Sequence, residues 1–185
     1  MRAADIRANV RALWAALGGD PGIAKGSKAI EQLDLARYQG TWYEIARLNH
    51  PFERRLSNVT ATYTPRDDGG VDVLNRGFDL VRRQWRSAKG VAYPAGKNTP
   101  AGRLKVSFFW RFFAGYNIIY LDAHYDHAVI VGPNRRYLWV LSRSPFISDT
   151  VFKELTHWLT RQGLPASDLY RVHHDGFLFD PQVPE

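Results

Sequence analysis

Between residues 40 and 142 apolar and polar side chains alternate in short runs. The runs cover 40–48, 57–64, 71–76, 84–93, 102–109, 116–122, 127–132 and 136–142. A period of two sends successive side chains to opposite faces of a strand, so each run is predicted as a β-strand. Turn-forming stretches separate them. Pro65-Arg66-Asp67-Asp68-Gly69-Gly70 is one, the stretch from Pro94-Ala95-Gly96 to Pro100-Ala101-Gly102 another, and Gly132-Pro133-Asn134-Arg135-Arg136 a third. Sequential hairpins at this spacing predict an all-β, eight-stranded up-and-down antiparallel barrel, whose closure leaves no strand edge. Only after the eighth strand does the period change. Val151, Phe152, Leu155, Trp158 and Leu159 fall on one helical stripe, with Ser148 and Asp149 suited to its start and Gly163 and Pro165 to its end. One C-terminal α-helix packed outside the barrel is predicted, followed by a short strand at Leu169-Tyr170-Arg171-Val172.

The alternation also predicts an interior. Strand two offers Val59, Ala61 and Tyr63, strand five Leu104, Val106 and Phe108, and strand six Ile118 and Tyr120. Strand seven offers Ala128 and Ile130, and strand eight Tyr137, Trp139 and Leu141. Strand four offers only the small Ala88, Gly90 and Ala92. An eight-stranded barrel is just wide enough to be filled by side chains or to hold one ligand. Small residues facing aromatic ones favour a cavity. Its candidate wall is Val59, Ala61, Tyr63, Asn75, Ala88, Gly90, Val106, Phe108, Ile118, Tyr120, Ile130, Tyr137 and Trp139. Glu44, near Trp42, is read as a satisfied structural carboxylate within the barrel floor.

Residues 1–26 read as an N-terminal helix or tail and 27–185 as the barrel domain. Ile6, Val10, Leu13, Trp14 and Leu17 share one helical face, which suits a short surface helix. The alternative is a signal peptide, for which the apolar patch 12–17 is short and Asp5 interrupts the basic region. No apolar run approaches the ~20 residues that span a bilayer as a helix.

Composition narrows the chemistry. The chain has 185 residues, of which 45% are hydrophobic and 14% aromatic, enough for one domain with a core. The absence of cysteine excludes disulfides, thiolate metal sites and cysteine nucleophiles, and with them the expectation of a cysteine-linked lipid anchor on this sequence. Six histidines show no metal-ligand spacing, and neither a metal nor a cofactor is expected. No nucleophile elbow, phosphate loop or paired carboxylate motif is present.

The net charge of +7 favours anionic partners, and its placement is more telling than its size. Alternate loops of an up-and-down barrel share an end. Those opposite Trp42 carry Arg54, Arg55, Arg82, Arg83, Arg111, Arg135 and Arg136. The predicted mouth is therefore ringed by arginine, suited to an anionic head group or an anionic membrane surface. Phe109, Trp110, Phe112 and Phe113 flank Arg111, and exposed aromatics beside a cation suit a membrane interface, a ligand gate or a homodimer contact. Nucleic acid is not an expected partner, because the aromatics alternate into a closed barrel rather than across an open face.

Two distant pieces carry a resemblance. Gly40-Thr41-Trp42-Tyr43-Glu44-Ile45-Ala46-Arg47-Leu48 opens the first strand, and Tyr137-Leu138-Trp139-Val140-Leu141-Ser142-Arg143 closes the eighth. Between them lie Asn58-Val59-Thr60-Ala61-Thr62-Tyr63, the run from Gly69 to Phe78, and Leu104-Lys105-Val106-Ser107-Phe108-Phe109. Together these resemble the lipocalin family over about residues 33–175, most of all its bacterial outer-membrane branch, with the apolipoprotein D branch more distant. The family's middle motif is degenerate here as Asp122-Ala123-His124-Tyr125. The resemblance implies that Gly40, Trp42 and Arg143 form a structural motif, with the arginine stacked on the indole. It also implies a non-enzymatic carrier or store for a lipophilic ligand of the fatty-acid or lysophospholipid class. The expected setting is envelope lipid maintenance, in the periplasm or at the membrane periphery. A few barrels of this kind are enzymes acting on lipophilic substrates, which is the alternative.

Overall fold

The computed structural model describes residues 22–50, 53–109 and 112–175. Its strands are β1 (Gly40–Leu48), β2 (Leu56–Pro65), β3 (Val71–Asp79), β4 (Gln84–Pro94), β5 (Arg103–Phe109), β6 (Phe112–Leu121), β7 (His127–Val131), β8 (Leu138–Ser142) and β9 (Leu169–Arg171). All pairings are antiparallel and sequential from β2 to β8, and β1 pairs with both β8 and β2. The sheet therefore closes as an eight-stranded barrel. β1 is shared: Gly40 to Tyr43 face β2, while Ala46 to Leu48 pair with β9.

Helix α1 (Leu35–Tyr38) lies at the Trp42 end and is capped by Asp34, whose carboxylate accepts from the Arg37 amide. Helix α2 (Asp149–Arg161) is capped by the Ser148 hydroxyl, which accepts from the Val151 amide. The chain turns out of α2 through Gly163 at φ +67°, a left-handed conformation suited to glycine. The apolar stripe of α2 packs on the outer face of the barrel. Leu155 and Leu159 are buried against Ile45, Ala46, Val129, Val131, Leu138 and Val140. Full burial of a leucine contributes roughly 1.5–3 kcal/mol. A second cluster lies inside the barrel around Trp42, Tyr38, Tyr63, Ile118 and Ile130. The protein thus has two cores separated by one sheet.

The chain before β1 is part of this packing. Ala24 is fully buried and its amide donates to Gly132 O at 3.1 Å, while Ile30 is bonded to both Ile118 and Gly102. Residues 22–26 therefore pack against the barrel, although the sequence reading grouped them with a tail. The helix or signal expected over the first residues lies outside the described residues.

The resemblance's structural motif is present as geometry. Arg143 places its guanidinium 4.0 Å from the Trp42 ring centroid and donates to Thr41 O, Arg37 O and Tyr125 O. Gly40, at φ +84°, lets the chain enter β1 with the Arg143 side chain 3.5 Å from where a Cβ would stand. The degenerate middle motif still closes this end. The Asp122 carboxylate accepts from the amides of His124, Asp126 and His127, and the Arg37 guanidinium stacks on Tyr125 at 4.1 Å.

Four strand pairings carry bulges or register shifts, and two of these change which residues face inward. Between Ile118 and Tyr120 the shift turns Tyr120 to the outer face, where its ring lies 5.1 Å from Trp158 of α2. Between Glu44 and Ala46 the shift brings Arg47 into the barrel, completely buried, three residues after Glu44 instead of two.

Candidate functional site

The barrel is not filled. The space inside it open to the centres of water molecules is about 120 Å³, far above the ~10–15 Å³ that one water needs. Apolar side chains from most of the strands line it, among them Val59, Ala61, Val71, Val73, Ala92, Leu104, Val106, Phe108, Ile130 and Leu141. Tyr63, Asn75, Tyr137 and Trp139 also belong to the wall.

Four of the sequence-predicted wall residues do not line the cavity. Tyr120 is outside because of the β6 bulge. Ile118 is completely buried in the cluster around Trp42. Gly90 is covered by Phe108, whose ring and the Ser107 carbonyl approach to 2.7 and 2.5 Å of the place a Cβ would occupy. Glycine is needed there for close packing, so the room expected over it is taken. Ala88 pairs with Asn75 on β3, but the β4–β5 ladder runs only from Val91 to Pro94, so Ala88 lies beyond it. Conversely, Val71, Val73, Ala92, Leu104 and Leu141 line the cavity by the same alternation that found their neighbours. Tyr38 comes from α1 and Glu53 from the β1–β2 connection, and no strand period could have found them.

The polar wall is concentrated at two levels. Near the closed end, the hydroxyls of Tyr38 and Tyr63 each lie 2.8 Å from that of Tyr116. Burial raises all three phenol pKa values, so these groups stay protonated. Toward the mouth lies a carboxylate pair with one arginine. Arg47 Nη1 donates to Glu44 at 2.7 Å, and Arg47 Nη2 donates to the carbonyls of Glu53 and Leu56. The buried guanidinium thereby holds the β1–β2 connection against the neck. Trp139 Nε1 donates to the Glu53 carboxyl at 3.1 Å. His50 stacks on Tyr137 at 4.7 Å and tilts over Trp139 at 5.2 Å.

One arginine cannot neutralise two buried carboxylates. Burial pushes Glu44 up, and the adjacent Arg47 opposes it. Glu53 is pushed up to about 8, chiefly by burial and then by the charge of Glu44. The ion-paired Glu44 keeps its charge and Glu53 keeps a proton at neutral pH. Burial, with the nearby Arg47 charge, lowers His50 to about 4, leaving it neutral. The neck therefore has no net charge near pH 7, a property hidden in the overall +7.

The rim carries exposed cations. Arg54, Arg55, Arg82, Arg83 and Arg136 are exposed on connections at the mouth end. Arg135 differs from the expectation. It donates to Lys25 O and Gly163 O, tying the segment before β1 to the end of α2. Arg111 lies outside the described residues. At the same end Leu80, Val81 and Phe112 are largely exposed, whereas Phe113 packs on the outer surface against Tyr93 and Lys105.

Comparison with known proteins agrees with this architecture. Residues 33–174 match the family model described as a lipocalin-like domain. The chain is 49% identical over 152 residues to the outer membrane lipoprotein Blc of Escherichia coli strain K12, covering 82% of this chain and 85% of that protein. It is 27% identical over 147 residues to apolipoprotein D of Bos taurus, covering 75% and 76%. Insecticyanin from the tobacco hornworm Manduca sexta superimposes with a TM-score of 0.67 at 18% identity, over 85% of this chain and 89% of that one. With its closed barrel, external helix and arginine-stacked tryptophan, the chain belongs to the lipocalin family.

Proposed function

We propose that this protein binds and carries or stores a lipophilic ligand with an aliphatic chain, of the fatty-acid or lysophospholipid class, without catalysing a reaction on it. The observation that carries this reading is the unfilled, mainly apolar cavity inside the barrel. Each methylene transferred into such a wall contributes ~0.8 kcal/mol before the costs of ordering the ligand. The exposed rim arginines support a preference for an anionic head group at the mouth, and the proton on Glu53 removes the repulsion that a second ionised carboxylate would exert. Exposed Leu80, Val81 and Phe112 at the same end support peripheral contact with an anionic membrane. The similarity to a bacterial outer membrane lipoprotein supports a place in envelope lipid maintenance, at the periplasmic or membrane-peripheral face.

Native mass spectrometry of gently purified protein, followed by titration with a fluorescent long-chain fatty acid, tests this reading. Co-purified lipid or saturable 1:1 binding is the expected result. Absence of saturable binding across fatty acids, lysophospholipids and neutral long-chain lipids would overturn it.

A further inference from the structure

The three tyrosines at the closed end contain more hydrogen-bond donors than their contacts use. Tyr38 comes from α1, Tyr63 from β2 and Tyr116 from β6, and all three line the cavity. Their hydroxyls supply three protons. The two O···O contacts of 2.8 Å, both to Tyr116, consume two of them. Among the described residues no acceptor is bonded to the third. Phenylalanine would fill the same space without the cost of burying a hydroxyl, which mutational data place at ~1–3 kcal/mol when no partner compensates.

The surroundings orient the spare donor. Tyr38 lies 4.9 Å from Trp42 and 5.6 Å from Tyr63, and the Arg143 guanidinium stacks on Trp42 at 4.0 Å. A fixed positive charge beneath the floor favours hydroxyl dipoles whose oxygens point toward it and whose free proton points away, into the cavity. Val71, Val73, Ala92 and Leu104 pack in one cluster with Tyr38 and Tyr63. Gln39 and Glu44 also line the cavity, and the Glu44 charge acts on Tyr63, so it draws a free hydroxyl proton the same way, into the cavity.

We propose that the Tyr38–Tyr63–Tyr116 cluster is a second polar subsite, which accepts a neutral oxygen, hydroxyl or carbonyl, at the inner end of the lipophilic ligand. This rests on the carrier reading and makes it more specific: the favoured ligand is oxygenated at the end that enters first. A single donor does not compensate the burial of a carboxylate, so the inner group is uncharged.

The test uses the full chain and three acids that differ only at the tail: dodecanoic, 12-hydroxydodecanoic and 11-oxododecanoic acid. Each displaces a fluorescent fatty acid from the wild type and from the triple variant Tyr38→Phe, Tyr63→Phe and Tyr116→Phe. In an apolar pocket an added hydroxyl or ketone weakens binding, because it loses its water without replacement. With the subsite, the oxygenated acids bind at least as tightly as dodecanoic acid. The triple variant, which leaves no hydroxyl in the cluster, then weakens the oxygenated acids about three- to tenfold while dodecanoic acid changes less than twofold. Should that variant fail to fold, the wild-type ratio alone decides. Saturable binding of dodecanoic acid with tenfold weaker binding of both oxygenated acids overturns the subsite and leaves the carrier reading standing. No binding of any of the three overturns both.

Discussion

Replacing Glu53 by Gln preserves the shape of the side chain and its ability to accept from Trp139, but removes a titration. In the unfolded chain this carboxyl titrates near 4.5, and in the folded protein near 8. The folded state therefore holds a proton that the unfolded state has released. That difference stabilises the protein below the unfolded value and is lost as pH rises from 4.5 through 8. His50 has the opposite sign. Its folded value near 4 lies below the ordinary 6.5, so its contribution is lost as pH falls from 6.5 through 4. Between pH 6.5 and 8 the Glu53 effect outweighs that of His50, which adds only about 0.4 kcal/mol of opposite sign as the unfolded imidazole loses the rest of its proton. At ~1.4 kcal/mol per pH unit, wild-type stability should fall across this window by at most about 2 kcal/mol. This is a ceiling, because Glu53 faces a cavity that water can enter. Urea denaturation at pH 6.5, 7.2 and 8.0 measures it. The midpoint of the wild type should drop steadily, and that of Glu53→Gln should stay nearly level. A wild-type midpoint that is constant or rises over this range would refute the assignment of the buried proton to Glu53.

Arg143→Ala should destabilise the fold by about 1–3 kcal/mol, through loss of the contact with Trp42 and the bonds to three carbonyls. An unchanged denaturant midpoint would contradict this. Ala61→Phe, which projects a ring into the cavity, should abolish uptake of a fluorescent fatty acid in a protein that still folds. Ala88→Trp should leave uptake intact, because Ala88 does not line the cavity; equal effects of the two would show that the wall is wrongly drawn. Changing Arg54, Arg55, Arg82 and Arg83 together to Gln should reduce the preference for a fatty acid over the alcohol of equal length. Each arginine that reaches the head group contributes ~0.2–1 kcal/mol at low salt, and screening removes part of that as salt rises. If the wild type binds acid and alcohol equally at low salt, the rim has no selective role.

The fold was legible because its determinants are local. Period-two alternation with Gly/Pro/Asp turns placed β1 to β8 within a few residues, except that β6 begins at Phe112 rather than at residue 116. The change to a helical period placed α2 and its Ser148 cap. Val59, Ala61, Val106, Ile130, Tyr137 and Trp139, which alternation turns inward, line the cavity. The stacking of Arg143 on Trp42 was expected from the family resemblance of Gly40-x-Trp42 and Arg143, and the structure has it at the closed end, where both strand termini meet. The tertiary structure decided what alternation cannot encode. A bulge adds one residue to one strand and inverts inward and outward beyond it, which expelled Tyr120 and drew Arg47 inside. The connection carrying Glu53 and the helix carrying Tyr38 have no strand period, so their entry into the cavity depends on contacts with distant strands. Charge followed the same rule. The sequence by itself determined a basic chain with arginines at one end. Only burial beside a single arginine decided that the neck of the cavity is neutral, because the cost of ionising Glu53 is set by the water and the charges around it in three dimensions.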